Sequence, residues 1–196
     1  MTIVLASASR ARKSLLANAG VQFEAVHAAI DERAAEQPLL EAGAGPDDVA
    51  AALAMAKAFD VSERYMADLV IGADQVLALD GERFVKPATM EDARRQLLHL
   101  SGKTHALHTA VAAARAGEIL WQHADTAYLT MRKLAPETVG RYLAEAGPSA
   151  LKTVGAYQIE GRGIRLFEKI DGDFFAILGL PLLPLLDFLR AEGEIE

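Results

Sequence analysis

The chain encodes an α/β protein with a mixed β-sheet and helices on its faces. Three observations say so. Short apolar runs of strand length, such as Ile3–Ala6 and Leu69–Ile71, alternate with helix-length amphipathic segments. Two tight-turn dipeptides, Asp80-Gly81 and Ala116-Gly117, each join two strand-like runs. Capping residues such as Thr89 stand just before the helical stretches.

Taken in order, Ile3 to Ala6 is a buried-type strand, and Ser7 or Ser9 caps a helix that carries Leu15 and Leu16 and ends near Gly20. Val21 to His27 follows as a second strand. The stretch from Asp31 to Asp48 is polar and punctuated by Gly and Pro, so it reads mostly as loop. Asp47 or Asp48 opens a helix through Ala58, with Lys57 near its end. Leu69–Ile71 is a buried strand that stops before Asp74, and Asp80-Gly81 turns Val76–Leu79 into Glu82–Val85.

Thr89 caps a helix over Met90–Leu100, which Ser101-Gly102 breaks. Thr104–Ala114 and Glu118–Met131 form a hairpin through Ala116-Gly117, and Pro136 lies in the first turn of a helix to about Ala144. Gly161 and Gly163 flank a turn before a strand-like IRLFEKI. Asp171-Gly172-Asp173 turns into a strand FFAIL, and a last helix follows Pro184. No repeat, linker or low-complexity tract divides the 196 residues, so a single domain over 1–196 is expected.

Composition narrows the classes. The chain is 52% hydrophobic and 24% charged, which is globular rather than disordered. With no cysteine it has neither a disulfide frame nor a thiolate zinc site, and a reducing compartment suits it. A net charge of −7 argues against a broad nucleic-acid footprint but leaves room for a small anion in a local basic pocket. Phe174–Leu186 is the longest apolar stretch, and Gly179, Pro181 and Pro184 interrupt it, so no membrane span is expected. The first residues put their apolar run before the basic ones, the reverse of a secretory signal. A cytoplasmic protein is expected.

Several residues stand out chemically, each with an ordinary structural use beside the functional one. The first strand–helix junction, LASASRARKS, offers helix N–H groups, small residues, Arg10, Arg12 and Lys13 to a phosphate. A solvated basic helix face is the plainer use, and the P-loop spacing is absent. Asp31-Glu32 offers hard oxygens to a divalent cation, or simply begins a loop. Lys57 near a helix end suits the dipole without any function. Asp74 at the end of an apolar strand is costly to bury unless paired or metal-bound, and it can take a proton from an attacking water. Lys86, held extended by Pro87, can return towards Asp74 if the hairpin folds back, or guard a sheet edge. The five histidines lack zinc-ligand spacing, and Trp121 and Tyr157 suit packing better than base stacking.

These pieces, in this order, resemble the Maf family of nucleoside triphosphate pyrophosphatases. The resemblance runs through LASASRARKSLL, Asp31-Glu32, the AKA around Lys57, GADQV at Gly72–Val76 and Lys86-Pro87. It continues through LSGKTH at Leu100–His105, GAYQIEGRG at Gly155–Gly163 and GDFFAILGLPL at Gly172–Leu182. It implies an elongated mixed sheet with flanking helices, two lobes and a central cleft, as in inosine triphosphatases. It also implies metal-assisted hydrolysis of a nucleoside triphosphate between the α and β phosphates.

By position, the resemblance makes Asp74 the proton acceptor and, with Glu32, a ligand of Mg²⁺ or Mn²⁺. It turns Ser7, Ser9, Arg12, Lys57 and Lys86 towards the phosphates. Ala11, Gln75 and Glu160 fall at positions tied to base choice; Gln75 and Glu160 look like the 7-methyl-GTP-preferring branch, whereas Ala11 replaces an Arg of the usual Ser-Pro-Arg-Arg. A homodimer is plausible from the resemblance alone. A nucleotide-sensing regulator of cell division that does not turn over, and a γ-phosphatase, are the competing readings.

Overall fold

The structure, a computed structural model, describes residues 2–196. Its core element is a seven-stranded sheet in the order β2-β1-β3-β5-β6-β7, with β4 paired to β3. The strands are β1 (Ile3–Leu5), β2 (Phe23–Ala25), β3 (Leu69–Leu79), β4 (Glu82–Phe84), β5 (Thr104–Arg115), β6 (Glu118–Met131) and β7 (Phe167–Asp171). β1 runs parallel to both β2 and β3, whereas β3–β4 and β6–β7 are antiparallel, so the sheet is mixed as expected. The helices are α1 (Arg10–Asn18), α2 (Glu32–Glu41), α3 (Pro46–Ser62), α4 (Met90–Leu100), α5 (Pro136–Ala146), α6 (Phe174–Ile177) and α7 (Leu182–Ala191). Among the described residues no helix is long and apolar enough to cross a membrane.

Two compact units make up the chain. The first holds the chain up to Gln75, His108–Thr126 and Asp173–Glu196; the second holds Val76–Leu107 and Ala127–Gly172. In the first unit β1 and the start of β3 are buried on both faces, as a crossover sheet requires, whereas the edge strand β2 is largely exposed. Ile3, Leu5, Leu69 and Ile71 pack with Leu15 and Leu16 of α1 and with Leu185 and Leu189 of α7. Val4, Ala6 and Val70 point the other way and meet Val61 of α3. Trp121 stacks on Phe188 at 4.9 Å between ring centroids, a packing use.

In the second unit the β3–β4 hairpin turns at Asp80 and Gly81, both with positive φ (51° and 83°). α4 begins where expected because its start is marked: Thr89 Oγ1 accepts from Asp92 N at 3.1 Å, and Asp92 Oδ2 accepts from Thr89 N at 3.0 Å. α4 packs on α5 through faces that bury Ala93, Leu97 and Leu100, and Val139, Tyr142 and Leu143. His105 is buried against Tyr157 and Phe167, with Nε2 2.8 Å from the Tyr157 hydroxyl.

Several elements differ from their sequence-based limits. The expected loop over 31–48 contains α2, because Asp31 caps the good helix formers Glu32 to Gln37 by accepting from Ala34 N at 3.1 Å. Pro38 lies inside that helix and does not end it. α3 begins at Pro46 and continues to Ser62, a turn beyond Ala58, so Lys57 is interior and the helix-end explanation for it fails.

β3 is one continuous strand, so Asp74 lies within it rather than at its end. FFAIL is not a strand. Asp173 Oδ1 accepts from Ala176 N at 2.7 Å and folds Phe174–Ile177 into the single turn α6. α7 starts at Leu182 and carries Pro184 in its first turn, where a missing N–H costs nothing. β2 is shorter than Val21–His27, and β4 ends at Phe84, before Val85.

Candidate functional site

The alternation of β3 decides what its polar residues meet. Leu69, Ile71 and Ala73 enter the core with α1 and α7; Val70, Gly72 and Asp74 fall on the opposite face, towards α3. A Cβ on Gly72 would lie 2.3 Å from Ala54 O and 2.5 Å from Ala58 N, so the backbone of α3 rests directly on the strand there. That approach brings Lys57 to Asp74. Lys57 Nζ donates to Asp74 Oδ1 at 2.5 Å and lies 2.7 Å from Glu32 Oε1. Asp74 and Lys57 are both buried, at 8% and 9% exposure. Glu32 occupies the first turn of α2 and leaves about half of its side chain (52%) in solvent. The pairing accounts for a carboxylate inside a buried strand.

On the α1 side, Ser9 caps the helix by accepting from Arg12 N at 3.4 Å, and Ser9 N donates to Ser7 Oγ at 3.2 Å. Arg12 does not belong to a solvated basic face. Its Nε donates to Gly179 O and its Nη1 to Ala73 O, each at 2.7 Å, and Nη1 also reaches Ser7 Oγ at 3.3 Å. Burial pulls the guanidinium below its ordinary value, and the charges of Asp74 and Glu32 work in the opposite direction. Gly179 has φ +104°, and a Cβ there would stand 3.2 Å from Arg12 Nε, so glycine serves both backbone and guanidinium. Arg10 is exposed, and Ala11 and Lys13 are partly exposed on the same helix.

Gln75 points away from Asp74, as its place in the strand requires. Its amide nitrogen donates to Thr109 Oγ1 at 2.8 Å, Ala176 O at 3.0 Å and Ile177 O at 3.1 Å. Thr109 is buried on β5 and donates to Ala176 O at 3.0 Å. Gln75 and Thr109 together fasten α6, and the chain from α6 leads directly to Gly179 and Arg12. Thr109 escaped the sequence reading; its one signal is a hydroxyl directly before the apolar run Ala110–Ala114.

Lys86 and Glu160 belong to the second unit. Lys86 is exposed in the connection between β4 and α4, and Glu160 is exposed beyond Tyr157. The nearby Tyr142 phenol is pushed up by its burial, against the bond from Gln158 N, with the charge of Glu160 adding to the rise.

The first unit therefore joins two carboxylates and two cations, with one ammonium bonded to both carboxylates. Their oxygens are the hard donors that Mg²⁺ or Mn²⁺ prefers, and magnesium commonly takes only one or two carboxylates when phosphate supplies the rest. Among the described residues no group of three or more His, Asp or Glu forms a complete protein cage. A groove in this unit of about 490 Å³ is lined by Ile30, Met55, Phe59 and Ile119 with Asp60 and Glu63, and none of Glu32, Lys57 and Asp74 lines it.

The family model described as Maf-like protein matches residues 2–192. A protein of Mesorhizobium japonicum named 7-methyl-GTP pyrophosphatase is 57% identical over 99% of this chain and 98% of its own. One of the same name from Brucella abortus is 58% identical over the same shares. A protein of Granulibacter bethesdensis named nucleoside triphosphate pyrophosphatase is 46% identical over 97% of this chain and 96% of its own. The chain belongs to the Maf-like protein family.

Proposed function

We propose that this protein is a nucleoside triphosphate pyrophosphatase, a hydrolase that cleaves the bond between the α and β phosphates and prefers a 7-methyl-GTP-like nucleotide. The observation that carries the reading is the Lys57–Asp74–Glu32 cluster beside Arg12, in a chain closely similar to proteins of that name. The reading takes the chain as one Maf-like domain, to which the family match over residues 2–192 lends support.

In this mechanism Asp74, a carboxylate and so an acceptor, takes a proton from the attacking water. The water oxygen bonds to the α phosphorus, and the bond from that phosphorus to the bridging oxygen breaks. Pyrophosphate leaves and the nucleoside monophosphate remains. Arg12, Lys57, Lys86 and the Ser7–Ser9 backbone hold the phosphates, so that catalysis is mostly positioning and charge neutralisation. Glu32 and Asp74 would hold the divalent cation, which supplies a Lewis acid for the phosphate oxygens when bound. Ala11, Gln75 and Glu160 govern base choice. A carboxylate at Glu160 suits 7-methylguanine, whose ring is cationic and whose N1–H and 2-amino groups are donors. A cytoplasmic location and a homodimer go with this reading, the latter checked by sedimentation.

The test is product identity across a panel of canonical and methylated nucleotides with Mg²⁺ or Mn²⁺. Pyrophosphate and monophosphate, fastest from 7-methyl-GTP, are expected. Orthophosphate would make the protein a γ-phosphatase; tight binding with no product would make it a nucleotide sensor.

A further inference from the structure

We propose that Lys57 is the built-in occupant of the metal position, and that it must leave the carboxylates for the divalent ion to enter. The inference rests on the pyrophosphatase reading. Lys57 Nζ lies 2.5 Å from Asp74 Oδ1 and 2.7 Å from Glu32 Oε1. An ion held by those two carboxylates would crowd the ammonium, placing two like charges side by side where water screens them poorly. The two cations exclude each other.

The displaced ammonium needs another anion. Lys57 is buried, and its stem lies in a helix fastened to β3 at Gly72, so it cannot simply extend into water. A buried charge left unpaired is costly. A polyphosphate is the anion that solves both problems, since it pairs with Lys57 and brings oxygens to the ion. A divalent ion alone adds positive charge beside the ammonium, and the triphosphate offsets that charge. Metal and nucleotide therefore enter with positive coupling, and Lys57 is the residue through which they are coupled.

The decisive measurement is Mn²⁺ binding by electron paramagnetic resonance, without nucleotide, in the intact protein. The wild type is expected to bind Mn²⁺ weakly, and an α,β-methylene nucleoside triphosphate should tighten it about ten-fold or more. Lys57→Met should bind Mn²⁺ about ten-fold more tightly than the wild type without nucleotide, and should gain little further from the analogue. A folded Lys57→Met that binds Mn²⁺ no better than the wild type overturns the proposal.

Should that variant fail to fold, the wild type decides through the Lys57 ammonium resonance in a proton–nitrogen correlation spectrum. The resonance should stay in place with Mg²⁺ alone and shift with Mg²⁺ plus the analogue; no shift with both present overturns the exchange. Glu32→Gln and Asp74→Asn separate the two levels. If each lowers Mn²⁺ binding while Lys57→Met does not raise it, the exchange fails and the pyrophosphatase reading stands. If neither lowers it, both fail.

Discussion

Gly72 and Lys57 act as a pair: the missing side chain of one sets the reach of the other. With only hydrogen at Gly72, the carbonyl of Ala54 and the amide of Ala58 come to within 2.3 and 2.5 Å of where a Cβ would stand. Lys57, in the same turn of α3, then meets Asp74 two residues along the strand at 2.5 Å. A methyl at Gly72 would meet backbone first and then the Ala58 methyl at 3.0 Å, so rotamer change cannot relieve it.

Gly72→Ala is accordingly expected to push α3 off β3. The cost is about 1–3 kcal/mol of stability, by the ordinary scale of overpacking, together with much of the turnover. Urea denaturation and pyrophosphate release from the same preparation check both. A variant as stable and as active as the wild type would refute the account of this contact.

Asp74→Asn keeps the shape of the side chain and removes its charge and basicity. Turnover should fall by at least about a hundred-fold, the usual worth of a positioned base. Lys57 retains Glu32 as a partner, so the circular dichroism spectrum should be unchanged. Near-normal turnover in a folded variant would take Asp74 out of the chemistry.

His105 predicts an acid limb in stability. Burial lowers its imidazole from 6.5 to about 4, and its Nδ1 is buried without a partner. Between those two values the unfolded chain binds a proton that the folded chain refuses, so stability falls as pH drops from 6.5 towards 4. The loss over that window is about 3 kcal/mol, at 1.36 kcal/mol per unit. Above it this group leaves stability flat. Denaturation midpoints at pH 7, 5.5 and 4 should follow the curve, and His105→Gln should flatten it. An equally steep loss in that variant would assign the limb to other groups.

Glu160→Gln removes a charge from an exposed position and leaves the charged cluster of the first unit intact. It is expected to change the ranking of nucleotides more than the rate on the best of them, with 7-methyl-GTP losing most. Steady-state kcat/KM across the panel is the readout, and an unaltered order would count against a role in base choice.

The sequence reading succeeded where the signal was local. α4 kept its limits because Thr89 and Asp92 cap each other and Ser101-Gly102 breaks the helix. The β5–β6 turn is legible in the Ala116-Gly117 pair between two strand-like runs, and both residues take positive φ there, 51° and 77°. The reading failed where one local cue opposed another. Pro38 and the glycines after it point to loop over 31–48, whereas the Asp31 cap starts α2 there. FFAIL looked like a buried strand because a short apolar run has no period, and the Asp173 cap decided for a helical turn. Gly72 and Asp74 looked like the end of a strand because they interrupt an apolar run; they are the places where β3 meets α3.

By itself the sequence determined the mixed α/β class, the family and the order of those elements whose caps and turns are local, since periodicity, caps, turn pairs and ordered motifs are all written along the chain. Only the tertiary structure decided that Lys57 pairs with Asp74 and Glu32, that Arg12 spends its donors on Ala73 and Gly179, and that Gln75 and Thr109 hold α6. The physical reason is distance. These contacts join residues from 17 to 167 positions apart, and they depend on which face of a strand a helix covers and how closely a glycine lets it come.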